Sequence, residues 1–417
     1  ILTKDGRTEC ARRSGSRLKK GVLGAVLLSL AGALAASAQD QQLGARTKAM
    51  GGSYTAFQDD PLLVWLNPAG IATQPDQMSI AYQTYTAYPK RESTGLNGQA
   101  AFSVEGQTIL PDPVIIPSYI GFVFQLGSAE SPMAMGVGFA RPYNLDYSLD
   151  EVLTPGQTVF EPKFEVAESL SRFRVAIAKD FRFRAKGDAG LFSHLALGLG
   201  GDIGYEQWRF STPPGDPRGE RRGAAAAAGF GGGFLLGLYD DPDAFTVHLG
   251  GAYQSPVRFD FTVDPDRMPA FDMPQQVNVG LTLYLNQDFP LRVTFDTQFI
   301  QWSETAEDPF FATQEKFRDS VNYSVGAEYR IPVGDRLRLY PRLGYRRFQA
   351  PWKDEDNLPS TAGFRLVLDT KGSEFDIVTF GLGLSWTTEA NKVRSFDIAG
   401  DVGGDAFNVA VGYTHEF

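Results

Sequence analysis

The stretch Val321-Asn-Tyr-Ser-Val-Gly-Ala-Glu-Tyr-Arg-Ile331 alternates apolar and polar side chains without a break. One set of alternate positions carries valine, tyrosine, alanine and isoleucine, and the other carries asparagine, serine, glycine, glutamate and arginine. Successive side chains of a β-strand point to opposite faces, so this period of two predicts a strand with one apolar and one polar face. The same alternation recurs at 277–285, at 378–386 and at 407–414.

Segments of this kind follow one another to the end of the chain. Fourteen strands are predicted, at 77–87, 116–126, 133–147, 165–180, 190–209, 223–238, 243–260, 274–286, 290–303, 318–331, 334–349, 374–388, 392–401 and 405–417. Long and short connections alternate between them, apart from the brief 402–404. A soluble sandwich has no reason to alternate its loop lengths, whereas outer-membrane barrels have short turns at one rim, longer loops at the other and an even number of strands. We therefore predict an all-β fold, a 14-stranded antiparallel transmembrane β-barrel over 77–417.

The bilayer explains why the alternation is kept. Backbone groups in lipid must be hydrogen-bonded within the protein, and a closed sheet satisfies them all. The apolar face then contacts lipid and the polar face lines the lumen. Arginine at the bilayer midplane on the lipid face costs about 2–4 kcal/mol. The alternation accordingly predicts that the strand arginines face the lumen, namely Arg172, Arg174, Arg338, Arg342 and Arg346.

The composition and the lack of several catalytic motifs exclude some classes of function for this protein. Of the 417 residues, 12% are aromatic and 43% hydrophobic, which excludes a disordered chain, and the net charge of -10 disfavours nucleic acid as a partner. The three histidines, His194, His248 and His415, have no second ligand at metal spacing. Neither a nucleophile elbow nor a P-loop is present. We expect no enzyme activity, no cofactor and no metal site.

The first 38 residues read as an export signal. A basic patch around Arg12 and Lys20 precedes an apolar run at 21–35 and the small residues Ala36-Ser-Ala38. This order is typical of a secretory signal peptide, with cleavage expected after Ala38 and an upstream extension before Arg12. A membrane anchor is the alternative. The only cysteine, Cys10, belongs to this segment.

The chain ends on Tyr413-Thr-His-Glu-Phe417, an alternating strand closed by phenylalanine. This ending resembles the assembly signal of outer-membrane barrels. It predicts that Tyr413 and Phe417 are recognised by the barrel-assembly machinery and that the protein resides in the bacterial outer membrane.

A motif-rich segment precedes the first strand. It contains Gly51-Gly52, Asp59-Asp60 and Asn67-Pro68-Ala69. Pro68 has a fixed φ and lacks an N–H, and it also restricts Asn67, so a rigid turn is expected there. The aspartate pair is expected either to hydrogen-bond nearby backbone and lumen arginine or to lie in a solvated turn.

In these motifs the chain resembles the fatty-acid and toluene transporter family of outer-membrane barrels, the FadL and TodX type. It is also similar to related barrels of the type IX secretion shuttle group, PorV-like proteins. The resemblance implies that residues 39–76 form an N-terminal hatch that plugs the lumen. In the transporter branch it further implies passive uptake of an apolar ligand from outside, with release sideways into the bilayer through an opening in the third strand.

Pro142 lies within the predicted third strand. Proline cannot donate to the hydrogen-bond ladder and is confined to edges and bulges. We therefore place a possible lateral gate at Phe139, Arg141 and Pro142. The alternative is a strand that simply ends near Ala140.

Two functions remain open. One is transport of hydrophobic small molecules, long-chain fatty acids or aromatic hydrocarbons, in which Arg338 and Arg342 could bind a carboxylate or could belong to a charge network. The other is a structural role in type IX secretion, with secretion-system proteins as partners. Membrane lipid surrounds the barrel in both cases.

Overall fold

The computed structural model describes most of the predicted barrel and most of the hatch. The described residues are 43–86, 91–94, 100–104, 108–109, 116–128, 130–149, 164–184, 189–211, 221–241, 243–259, 273–285, 290–304, 318–349, 374–403 and 406–417. The predicted signal peptide, 1–38, and positions 39–42 of the hatch lie outside them. Within the described part of the chain, no helix is long and apolar enough to cross a membrane.

Fourteen antiparallel strands, counted over the described residues, form one closed sheet. They are β1 (Gln77–Gln83), β2 (Tyr119–Gln125), β3 (Met133–Leu149), β4 (Phe164–Arg182), β5 (His194–Ser211), β6 (Arg221–Asp240), β7 (Phe245–Gln254), β8 (Gln276–Leu285), β9 (Leu291–Ile300), β10 (Ser320–Tyr329), β11 (Leu337–Gln349), β12 (Glu374–Thr387), β13 (Val393–Gly403) and β14 (Ala406–Glu416). Each strand pairs with its neighbours in the chain, and β1 pairs with β14 from Gln77↔Glu416 to Gln83↔Ala410, which closes the barrel. The predicted fold class is confirmed.

The observed strand bounds depart from the predicted ones in several places; for example, β1 ends at Gln83 and β7 at Gln254, before the predicted ends at 87 and 260. The predicted strand 190–209 is interrupted, because Phe192 has a φ of 55° and leaves the ladder before β5 begins. The predicted strand 318–331 ends at Tyr329. Short strands also occur beside the barrel strands, where the sequence predicted connections or longer single strands: Tyr85–Thr86, Arg91–Thr94, Ala100–Val104, Thr108–Ile109, Gly190–Leu191 and Ile331–Val333.

The two faces of the sheet differ in the way the alternation predicts. In β12, the side chains of Val378, Phe380, Leu382 and Leu384 are 37–48% exposed, while those between them point inward. With Trp386, these outward apolar positions cover about 26 Å of strand at about 3.3 Å per residue. A strand tilted by about 40° would then present an apolar band about 20 Å tall, close to the band of known outer-membrane barrels.

Connection length distinguishes the two ends of the barrel. The chain crosses from β2 to β3, β8 to β9, β10 to β11 and β12 to β13 at one end, which we call the short-turn end. Two of these turns use left-handed residues, Gly334 at φ 77° and Asn391 at φ 57°, residue types that tolerate this conformation. The opposite end, the long-loop end, carries the longer connections, such as that between β11 and β12. The hatch joins β1 at the short-turn end.

Candidate functional site

Residues 43–76 of the hatch lie inside the barrel and fill its lumen. Several of its large side chains have no solvent-exposed surface, including Met50, Phe57 and Trp65. Glycines on the inner face of the strands allow this close approach. A Cβ at Gly198 would lie 2.3 Å from the backbone nitrogen of Ala69, and one at Gly250 would lie 2.3 Å from the backbone oxygen of Thr55. Gly198 of β5, Gly233 of β6 and Gly250 of β7 therefore make room for the hatch, a role that the alternation alone does not reveal.

The hatch folds as short helical turns linked by bends. Helix α1 (Ala45–Ala49) has Met50 as its C-cap and is followed by Gly51 and Gly52, which have φ values of 69° and 85°. A Cβ on Gly51 would lie 2.8 Å from the backbone oxygen of Tyr345, so the predicted glycine pair occupies a bend pressed against the wall. Helix α2 (Leu63–Leu66) follows and stops at Asn67.

Asn67 joins the hatch to itself and to the barrel. Its backbone is extended and Pro68 begins a 3-10 helix, Pro68–Ile71, in which the Asn67 side chain accepts from the N–H of Ala69 at 3.2 Å. The Asn67 amide donates to the backbone oxygens of Thr55 at 2.7 Å and Phe234 of β6 at 3.1 Å. The Asn-Pro-Ala segment thus forms a turn at the centre of the hatch.

The two predicted aspartates separate into different surroundings. Asp60 is buried and accepts hydrogen bonds within the hatch, from the Tyr54 hydroxyl at 2.6 Å and the Leu62 N–H at 2.9 Å. Asp59 instead forms ion pairs with Arg46 at 3.1 Å and with Arg292 of β9 at 2.9 Å. Desolvation alone would raise the pKa of Asp59, but the charges of Arg292 and Arg46 outweigh it and lower the pKa to about 2.

Glu328 of β10 is the centre of an ion-pair network at the short-turn end. It accepts from Arg46 of the hatch at 3.0 Å, from Arg292 at 3.1 Å and from Arg342 of β11 at 2.6 Å. Arg342 also pairs with Asp397 of β13 at 2.5 Å. The network borders a cavity of about 400 Å³ at the short-turn end of the barrel.

Two further polar attachments hold the hatch to the same wall. Asp296 of β9 accepts at one carboxylate oxygen from the Tyr54 N–H at 2.7 Å, the Thr55 N–H at 2.8 Å and the Thr55 hydroxyl at 2.7 Å. Lys48 pairs with Asp401 of β13 at 2.7 Å, and both side chains are buried. Charged and hydrogen-bonded contacts therefore attach the hatch to the wall formed by β8–β13.

The opposite wall, β1–β6, packs an apolar cluster against the hatch, beside hydrogen bonds from Tyr119 and Arg174 to hatch carbonyls. Val64 and Ile71 of the hatch pack in one cluster with small and apolar wall residues. The wall contributes Val123, Ala134, Ala176, Ala178, Ala196 and Leu235. A Cβ on Gly136 would meet Val64 at 2.4 Å, so this contact is close. The ion pairs of the hatch described above thus reach β9, β10 and β13, whereas this apolar cluster lies against β2–β6.

The predicted gate residues coincide with a β-bulge in the apolar wall. Ala140 pairs with Arg172 and Tyr143 pairs with Leu170. Between these pairs β3 has two residues, Arg141 and Pro142, where β4 has one, which makes a β-bulge. The register between β2 and β3 ends at Tyr119↔Ala140, followed by one bond from the Arg141 N–H to the Ser118 oxygen at 2.8 Å. β3 continues past the bulge to Leu149, so the strand does not end near Ala140.

Other predicted residues take the following positions. Arg172, Arg174, Arg342 and Arg346 are buried on the inner face, as the alternation predicts. Arg338 is half-buried near the short-turn end, on the same face of β11 as Arg342. In the terminal strand, Tyr413 and Phe417 flank His415, whose ring lies 6.4 Å and 5.7 Å from theirs. Their recognition by the assembly machinery stays a prediction.

Sequence reasoning missed Trp65. Its indole is fully buried, with the guanidinium carbons of Arg172 and Arg174 at 4.5 Å and 4.4 Å from a ring centroid. Both arginines donate to Asp202 of β5, and Arg174 also donates to the Trp65 carbonyl at 2.9 Å. A tryptophan two residues before the Asn-Pro turn was the available signal.

The topology also brings His194 and His248 together, with ring centroids 5.3 Å apart. Gln58 of the hatch contacts the former at 2.9 Å. Over the described residues, no group of three or more His, Cys, Asp or Glu side chains is placed to hold a metal ion.

Comparison with solved structures finds this architecture elsewhere. A Pseudomonas aeruginosa FadL homologue matches with a TM-score of 0.57 and 13% identity, over 90% of this chain and 98% of that one. The Pseudomonas putida toluene transporter TodX gives 0.53 and 14%, over 90% and 98%. The Ralstonia pickettii toluene transporter TbuX gives 0.50 and 16%, over 91% and 99%. Comparisons with protein-family models and with curated proteins find no match. The chain therefore shares its overall fold with these three solved structures.

Proposed function

We propose that this chain is an outer-membrane channel for the passive uptake of hydrophobic small molecules. The observation that carries the proposal is the division of the lumen. Ion pairs such as Arg46–Glu328 and Lys48–Asp401 attach the hatch to β8–β13, whereas an apolar cluster that includes Val64 packs the hatch against β2–β6. An apolar ligand gains by burying its surface against this apolar cluster.

We place the exit at the bulge of β3. The apolar wall includes this strand, and the extra residue at Arg141-Pro142 interrupts the ladder to β4. A ligand can pass from the lumen to the bilayer at the lowest cost where strand pairing is already interrupted, because fewer backbone hydrogen bonds must be broken there. The solved structures with this fold are, by their names, toluene transporters and a FadL homologue, which supports the same class of ligand.

Both ligand types proposed from the sequence, long-chain fatty acids and aromatic hydrocarbons, fit an apolar route. Arg342, considered as a carboxylate partner, donates to both Glu328 and Asp397. A fatty acid would have to compete with these two side chains for it. The contacts of Arg342 thus favour a role in holding the hatch over ligand binding.

The test measures uptake of hydrophobic probes by Gram-negative cells that express this protein and have no hydrocarbon channels of their own. Labelled toluene and labelled oleate are supplied separately, and planar-bilayer conductance of the purified protein reports leakage of ions. We expect uptake of at least one probe above the empty host, with no large steady conductance. Equal uptake with and without the protein would contradict the proposal, and so would an open ion pore of porin size.

A further inference from the structure

Trp65 occupies a site that has the chemistry of an aromatic-ring receptor. Two guanidinium groups lie against the indole at 4.5 Å and 4.4 Å from a ring centroid. Arg172 and Arg174 are themselves 2% and 0% exposed, and together they use one carboxylate, that of Asp202. Cations attract the face of an aromatic ring, and the attraction is strongest where water is excluded.

Apolar side chains complete the site. Trp65 packs in one cluster with Leu62 of the hatch and with wall residues of β1, β2 and β3. These wall residues are Ala81, Tyr119 and Ala140. The Tyr119 hydroxyl is turned away to the backbone oxygen of Pro61 at 2.6 Å. The site therefore offers a planar, dry slot with a cationic lining, suited to an uncharged aromatic ring.

The ring of Trp65 is held less firmly than its backbone. The Trp65 carbonyl accepts from Arg174 at 2.9 Å and from Gln254 at 3.2 Å. The indole Nε1 is buried and has no hydrogen-bond partner among the described residues. A tryptophan that was purely structural would usually satisfy this donor. Hydrogen bonds therefore fix the backbone of Trp65, whereas its ring is held by packing and by the two guanidinium groups.

The slot lies at the inner side of the β3 bulge. Ala140, which packs with Trp65, is the last residue of β3 in register with β4 before the extra residue, and its partner is Arg172. Trp65 and Arg172 thus close the interruption in the wall from within. Whatever leaves through the bulge passes the position of the indole.

We infer that Trp65 is the resident occupant of a binding site for an uncharged aromatic ring, and that a transported ring takes its place between Arg172, Arg174 and Tyr119. The binding site stands on its own contacts, while its part in passage rests on the proposed function. An aliphatic group of similar size would fill the slot but would gain nothing from the guanidinium groups. The site therefore selects aromatic over aliphatic ligands.

The experiment removes the indole of Trp65 by mutation and measures which small molecules bind in the space that it leaves. Full-length Trp65→Ala is purified in detergent, its barrel is checked by resistance to SDS, and binding of benzene and of cyclohexane is measured by calorimetry. The two probes have similar size and differ in their π-electrons. Leu63→Ala is the matched control, because Leu63 is fully buried in the same helix, α2, but packs in the apolar cluster.

We expect Trp65→Ala to bind benzene at least about fivefold more tightly than cyclohexane, and Leu63→Ala to show no such preference. Equal binding of the two probes by Trp65→Ala, binding of neither, or the same preference in Leu63→Ala would overturn the inference. If Trp65→Ala does not fold, Trp65→Val removes less packing and carries the same expectation. Binding in detergent does not depend on transport. A wild-type protein that fails in the uptake assay therefore refutes the proposed function without deciding this site.

Discussion

Glu328 is the single side chain on which the docking of the hatch depends most. Its carboxylate is 4% exposed and accepts from Arg46, Arg292 and Arg342. Glu328→Gln keeps the shape but removes the charge. Each arginine retains another carboxylate, Asp59 or Asp397, so none is left wholly unpaired.

The expected cost follows from these contacts. Removing one partner of a buried ion pair costs about 3–5 kcal/mol, and a hydrogen bond to a charged group contributes about 1.5–3 kcal/mol. Because the other ion pairs remain and the neighbouring cavity of about 400 Å³ can admit water, we expect the cost of Glu328→Gln to lie at the lower end of the range for a buried ion pair. We expect a loss of about 3 kcal/mol in the free energy of unfolding, roughly a 150-fold change in the equilibrium constant.

The assay is urea unfolding of the protein in phospholipid vesicles, with protease sensitivity of the hatch as a second readout. Glu374→Gln is the control, because Glu374 pairs with Arg347 on the exposed surface, where an ion pair contributes about 0–1 kcal/mol. A loss for Glu328→Gln that is no larger than that for Glu374→Gln would refute the account of the network.

Three further predictions concern the hatch. Gly198→Ala should destabilise the protein by about 1–3 kcal/mol in the same urea titration, because its Cβ meets the backbone of Ala69 at 2.3 Å, whereas Gly201→Ala, whose Cβ meets nothing within 4 Å, should be neutral. Equal effects would contradict the close packing. Asp296→Ala should leave three hatch donors unpaired at about 1–3 kcal/mol each, so a protease should cut the hatch faster than in wild type; unchanged cutting would show that these bonds do not hold it. The folded-state pKa of Asp59 is lowered to about 2, so its stabilising effect should be complete above about pH 4 and lost as the pH falls towards 2. The thermal unfolding temperatures of wild type and Asp59→Asn should therefore differ at pH 6 and converge near pH 2. A difference that stays constant over this pH range would be inconsistent with this pKa.

Much of the barrel could be predicted because its physics is local and repeated. One alternating stretch, 321–331, already determines which side chains face lipid, and the ladder places Asn322, Ser324 and Glu328 on the inner face. The exceptions arose where a single residue leaves the ladder, as Phe192 does. Local periodicity does not reveal a left-handed phenylalanine.

The site was harder to predict, because its contacts join residues far apart in the chain. The Asn-Pro-Ala and Asp-Asp motifs marked the hatch, but Glu328 and Asp296 were indistinguishable from other polar lumen residues until the hatch was placed against them. Trp65 and Arg172 are 107 positions apart and come together only in the closed barrel. The secretion-system role, the other reading of the hatch motifs, stays a prediction.

The most direct test of the central claim, passage through the bulge of β3, is hydrocarbon uptake by cells that carry a deletion of Pro142. Without the extra residue, Ala140 and Tyr143 can pair with Arg172 and Leu170 in an unbroken ladder. Pro142→Ala keeps the extra residue and serves as the control. We predict that the deletion abolishes uptake in a barrel that still resists SDS, while Pro142→Ala retains most of the uptake. Uptake at the wild-type rate by the deletion variant would contradict it.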